Sequence, residues 1–120
     1  MKAAIYKTHL EEEFDTPEKC FIVEVLNNAN DPELSIARAR VEPGVTTAWH
    51  YLRGTAERYY ILEGSGRVEV GDLPPQQVGV GDIVLIPPDC PQRISNIGDH
   101  DLVFLAICTP RFHQKNYLNL

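Results

Sequence analysis

The feature that most constrains this chain is the spacing of its apolar residues. They recur every second position in short runs, and nowhere at helical spacing over a dozen residues. Side chains two apart on an extended backbone share a face, so such runs read as half-buried strands. Residues 20–26 are β-branched and aromatic, and residues 34–41 alternate, with Ala37, Ala39 and Val41 on one face and Ile36, Arg38 and Arg40 on the other. Further runs cover 46–51, 57–62, 67–70, 83–86, 92–95 and 102–108, with Gly, Pro, Asn and Asp in the gaps. Short strands so punctuated predict an all-β sandwich or barrel. A parallel βαβ sheet is excluded, because no helix is long enough to supply a crossover. Gly64-Ser65-Gly66 is expected to be a hairpin turn rather than a phosphate loop, since a strand follows it.

Composition narrows the partners. The 120 residues are 43% hydrophobic and 23% charged, which predicts one globular domain over 1–120 rather than a disordered chain. Seventeen acidic against 11 basic residues leave a net charge of −6 with no basic run, so the footprint for phosphate backbones or anionic lipid is missing. No nucleic acid and no membrane partner is expected. The three cysteines, Cys20, Cys90 and Cys108, form no C-x-x-C pair, which argues against a disulfide framework or a thiolate zinc site and fits a reducing cytoplasm. No apolar run approaches the roughly 20 residues of a membrane span, and the start turns acidic before an apolar signal region develops. Glu11-Glu12-Glu13 is expected to be a solvated patch, and the polar tail from Pro110 to wrap the barrel's exterior.

Two stretches carry chemistry. Residues 44–64 read GVTTAWHYLRGTAERYYILEG and residues 81–96 read GDIVLIPPDCPQRISN. The chain here resembles the cupin superfamily, whose two motifs are G-x5-H-x-H-x3–4-E-x6-G and G-x5-P-x-G-x2-H-x3-N. Gly44, His50, Glu57 and Gly64 keep the frame of the first motif; Gly81, Pro87 and Asn96 keep that of the second, 16 residues further on. The resemblance implies a double-stranded β-helix, a jelly-roll barrel of two antiparallel sheets with a pocket between them. It also implies a homodimer, often with an N-terminal strand added to the neighbour's sheet, here residues 3–6.

The departures are informative. The family usually holds a divalent metal through two His and one Glu of the first motif and a third His of the second. This chain has Leu52 and Gln92 at two of those His positions, and Asp89 in place of the second motif's glycine. His50 and Glu57 carry over as metal ligands unchanged, and Gln92 carries over through its amide oxygen. Parity alone puts His50 with Leu52, Glu57 with Tyr59, and Gln92 with Ile94. One imidazole nitrogen, one carboxylate and one amide oxygen would leave open positions on an ion, as a catalytic metal needs. Such a set suits Mn, Fe or Zn better than Cu or Ni. Glu57 is also a candidate general base, and Tyr59 a candidate donor to an oxyanion.

The expectation is a small-molecule-binding cupin with a weak divalent-metal site and dioxygenase- or isomerase-type chemistry. Two other readings stay open. One is a metal-free, sugar-like ligand-binding module in which Leu52 and Gln92 shape the cavity and His50 hydrogen-bonds Glu57. The other is a structural dimer whose interior is filled by Leu52, Tyr59, Ile61 and Ile94. Arg58 and Arg93 fall on the outward parity, where surface salt bridges are expected, and Cys108 reads as a small core residue.

Overall fold

The alternating runs become eleven strands in two antiparallel sheets in the computed structural model, which describes residues 1–120. The six-stranded sheet runs in spatial order β1 (Phe14–Asp15), β2 (Phe21–Leu26), β3 (Ser35–Val41), β10 (Leu102–Thr109), β5 (Ala56–Glu63), β8 (Ile83–Ile86). The five-stranded sheet runs β11 (Tyr117–Asn119), β4 (His50–Leu52), β9 (Gln92–Asn96), β6 (Gly66–Val70), β7 (Gln76–Val78). Helix is confined to two single turns, Leu10–Glu12 and Gln114–Asn116. The all-β jelly-roll expectation holds, and no helix is long and apolar enough to cross a membrane.

Parity sets which side chains meet between the sheets. Along β5 the inward residues are Glu57, Tyr59 and Ile61; along β9 they are Gln92, Ile94 and Asn96, all buried. Val41, Ile61, Ile94 and Leu102 are at most 1% exposed, and each such burial contributes on the order of 1.5–3 kcal/mol. The inward side chains shrink along two neighbouring strands. On β10 Leu102 and Phe104 give way to Ala106 and Cys108, and on β3 Val41 and Ala39 give way to Ala37 and Ser35. One end of the barrel is therefore packed with apolar side chains, and the other is hollow.

Three local expectations are corrected. Gly64-Ser65-Gly66 is a corner between the two sheets and not a hairpin, because β5 pairs with β10 and β8 whereas β6 pairs with β7 and β9. Glycine is required there: Gly64 has φ +82°, and a Cβ would stand 2.7 Å from the Asp101 carbonyl oxygen. The tail does not simply wrap the outside; β11 extends the five-stranded sheet by pairing with β4. The 46–51 run is a strand only from His50 onward, with Thr46 making a single bridge to Ser95. Residues 3–6 join no strand of this chain and are exposed.

Second-motif residues hold the corners together. Asn96 is buried; its amide donates to the carbonyls of Val41 and His100, each at 2.8 Å, and its oxygen accepts the Gly98 N–H at 2.9 Å. Asp89, where the motif has glycine, has φ +63° and accepts the Gly54 N–H at 3.1 Å. On the outer faces Arg40 grips Glu13 at 2.6 Å, so Glu13 is half-buried while Glu11 and Glu12 stay exposed. Arg93 pairs with Glu69 over the Trp49 ring, as expected, but Arg58 donates to the Thr109 hydroxyl and forms no salt bridge.

These roles separate by stability. Asn96→Ala removes three hydrogen bonds, one of them to the buried Val41 carbonyl, and is expected to cost roughly 3 kcal/mol, whereas Arg93→Ala, on a solvated pair, leaves the unfolding midpoint nearly unchanged. Urea unfolding of both variants checks the contrast.

Candidate functional site

The hollow end encloses a cavity of about 110 Å³. Its floor is made of the small residues Ser35, Ala37, Ala106 and Cys108, with His50 and Leu52 entering from β4 and Glu57 from β5. The remaining wall comes from β1, β2 and the residues between them, and from the tail.

His50 is 4% exposed. Its Nδ1 lies 2.8 Å from the Ala48 carbonyl oxygen, so Nδ1 carries the proton and Nε2 keeps a lone pair. The ring stacks on Tyr117 at 4.7 Å and 20°. Burial lowers the pKa of the imidazole, which is therefore neutral at neutral pH.

Glu57 is held by a chain of hydrogen bonds. The Tyr59 hydroxyl donates to Gln92 Oε1, and Gln92 Nε2 donates to Glu57 Oε1 at 2.7 Å. The Cys108 thiol approaches Glu57 Oε2 at 3.7 Å. Burial pushes the Glu57 carboxyl up to about 7, against the opposing pull of the Gln92 N–H. Tyr59, its ring 4.3 Å from that of Phe104, and Gln92 are both buried, and neither lines the cavity.

The structure thus brings the three expected ligands together: His50 and Gln92 are direct cross-strand partners, and Gln92 bonds Glu57. The His50–Glu57 hydrogen bond of the metal-free reading is replaced by two others, to Ala48 and to Gln92. The filled interior is corrected as well: Tyr59, Ile61 and Ile94 belong to the packed core, Leu52 is cavity wall, and space remains. Cys108 is buried but faces that space.

Sequence reasoning missed several wall residues. Glu18 and Glu24 line the cavity, and burial pushes Glu18 up to about 7 and raises Glu24. The parity 18-20-22-24 was available as a signal, but the apolar residues at 21, 23 and 25 obscured it. Phe112 and Tyr117, both in the tail, also line the cavity, and the Tyr117 hydroxyl oxygen is buried with no hydrogen-bond partner.

Comparison with known proteins places this barrel. Residues 37–108 match the cupin domain profile, spanning both motifs. The chain belongs to the cupin family. An uncharacterized protein of Methanocaldococcus jannaschii is 37% identical over 82 residues, 68% of this chain and 65% of that protein's length. KdgF from a Halomonas species superposes with a TM-score of 0.81 at 15% identity, covering 95% of this cupin and 99% of KdgF. Pac13, a nucleoside dehydratase, superposes with a TM-score of 0.78 at 17% identity over 98% and 92% of the two chains. Bacillus subtilis oxalate decarboxylase, which has Mn(II) centres, gives 0.77 at 26% identity over 92% of this cupin but only 30% of its own chain.

The residues of this cupin do not fit such an ion as they are arranged. Gln92 turns its oxygen to Tyr59 and an N–H to Glu57, so a donor hydrogen points where a cation would need a lone pair. Leu52 offers no donor atom, and no three His, Cys, Asp or Glu side chains are grouped to hold a metal. Of the expected Mn, Fe or Zn ligands, His50 keeps a free lone pair while Gln92 has none directed at the site.

The raised carboxyl has a thermodynamic signature. Because the folded protein holds the Glu57 proton up to about pH 7, and the unfolded chain releases it near 4.3, this group's contribution to stability is greatest below that lower value. It falls as the pH rises to about 7, with Glu18 contributing in the same sense. Glu57→Gln is expected to flatten this slope in urea titrations at several pH values, and Gln92→Leu to move the Glu57 carbon-13 titration midpoint higher.

Proposed function

We propose that this cupin binds a small molecule in the hollow end of its barrel and acts on it by proton transfer, as an isomerase or dehydratase, with no step on a metal. The observation that carries the reading is the relay from Tyr59 through Gln92 to Glu57. It fixes one carboxylate oxygen and leaves the other on the cavity side beside Cys108. A carboxyl so held, in a partly apolar pocket and titrating near neutrality, suits removal of a proton from carbon next to a carbonyl and its return elsewhere. His50 Nε2 is the second proton-accepting group on the same cavity. Tyr59 then acts as a positioning residue through Gln92, since it does not touch the cavity. Pac13 carries a dehydratase activity on a similar barrel, and at its low identity it supports the architecture alone.

The sugar-like binding module is the second reading, favoured by the absence of a converging donor set for an ion. It differs in predicting saturable binding with no turnover. The decisive assay is proton NMR in deuterium oxide with EDTA-treated protein and a panel of small hydroxy- and amino-substituted carbonyl compounds. The proposal expects deuterium to enter one of them, at a rate that falls about 100-fold or more in Glu57→Gln and less in Tyr59→Phe. Exchange that survives Glu57→Gln, or that requires added Mn, Fe or Zn, overturns it.

A homodimer in a reducing cytoplasm belongs to the same proposal. Strand β8 is a free edge of sequence Ile-Val-Leu-Ile, whose outward Ile83 and Leu85 are 62% and 68% exposed beside Tyr60 and Leu62. An unprotected apolar edge invites pairing with a second copy. Light scattering is expected to give twice the chain mass, and Leu85→Lys to give the monomer.

A further inference from the structure

The cavity has a one-sided polarity that bears on what enters it. Three carboxyl groups line it, from Glu18, Glu24 and Glu57, and no Lys or Arg does. None of the three carboxylates is in a salt bridge, because the arginines near the barrel are engaged outside: Arg38 and Arg40 with Glu13, and Arg93 with Glu69.

The hydrogen-bonding groups lean the same way. His50 is more than nine-tenths buried, its proton is committed to the Ala48 carbonyl, and its Nε2 on the cavity accepts only. The Tyr117 hydroxyl oxygen has no partner, and the Thr16 hydroxyl already donates to the Cys20 carbonyl at 2.7 Å. Beside the Gln114 amide and the Ser35 and Tyr117 hydroxyls, the cavity presents three carboxyls and an imidazole lone pair, and that majority of acceptors is satisfied by a ligand that brings donors. The rings of Phe14, Phe112 and Tyr117 line the cavity, one face of Tyr117 being taken by His50, and aromatic rings attract cations.

We propose that the ligand of this cavity is a small organic cation carrying a protonated amine, seated between the carboxyls of Glu18, Glu24 and Glu57 and the aromatic walls. The inference rests on the reading that this cavity is the working site, and it narrows the substrate class. An ammonium group supplies three N–H donors and the missing positive charge together. An anion finds no guanidinium or ammonium on the cavity and would hold its carboxyls protonated, whereas a bound cation stabilises them ionised. This separates the chain from oxalate decarboxylase, whose substrate is an anion, even though the barrels superpose.

The test uses three probes of equal carbon length: propylammonium, 1-propanol and propionate. Each is titrated into the nitrogen-15-labelled protein while the amides of His50, Glu57 and Tyr117 are followed. Propylammonium is expected to bind at least tenfold more tightly than 1-propanol, propionate to give no saturable shift, and Glu18→Gln to weaken propylammonium about tenfold with the remaining spectrum unchanged. Propionate or 1-propanol binding as tightly as propylammonium overturns the inference. So does silence of all three at those amides, or Mn²⁺ alone binding there and displacing propylammonium. Loss of the charge preference with Glu57-dependent deuterium exchange intact overturns this inference alone. Absence of exchange with the preference intact overturns the proton-transfer reading and leaves this one standing.

Discussion

The relay from Tyr59 through Gln92 to Glu57 is the one buried polar connection across the two sheets on which the site depends. Tyr59 and Glu57 come from β5 of the six-stranded sheet, and Gln92 from β9 of the five-stranded sheet. Each group in it would be costly to bury alone. Linked, the hydroxyl, the amide and one carboxylate oxygen satisfy one another, and the sheets are fixed at the spacing the relay needs. The relay also marks a boundary. Beyond Tyr59 the interior is packed with Ile61, Ile94 and Leu102, and in front of Glu57 it is hollow.

That boundary explains how a small barrel holds both a stable core and a reactive pocket. The apolar end, with Val41, Ile94 and Leu102 essentially without exposure, anchors the fold and needs nothing from the open end. The open end can then retain groups that a well-packed interior would exclude: an imidazole with an unused lone pair, a hydroxyl without a partner, and carboxyls raised by burial. Strained or incompletely satisfied groups of this kind are kept where function uses them.

Much of this was legible in the sequence, because side-chain parity along a strand is a strict rule. The inward faces of β3, β5 and β9 follow from alternation, and the glycines of the two motifs mark true corners. What parity cannot supply is which strand a turn leads to, so Gly64-Ser65-Gly66 read as a hairpin although it joins different sheets. It cannot supply pairing made by backbone alone either. The tail strand Tyr117–Asn119 has no alternating apolar signal, yet by pairing with β4 it brings Tyr117 onto His50. Nor can it supply the orientation of an amide. Convergence of His50, Glu57 and Gln92 was predictable; that Gln92 would present a proton to Glu57 and its oxygen to Tyr59 depends on hydrogen bonds visible only in three dimensions.

The amide at position 92 changes the electrostatics of the barrel as well as its donor list. Histidines at 92 and 52 would complete a ligand set for an ion, whose charge would neutralise Glu57. With Leu52 and Gln92 the carboxylate is stabilised only by neutral donors, the Gln92 N–H and the Cys108 thiol, which offset part of its desolvation, and so its proton is retained to near neutrality. The two replacements thus act in one direction. They remove the ligands that would hold a metal, and they create a carboxyl whose protonation is poised for acid–base work. The same missing positive charge makes the pocket acceptor-rich and uncompensated, which is the property that selects a cationic ligand. Loss of the ion's ligands and the charge preference of the cavity are therefore two consequences of one substitution pattern.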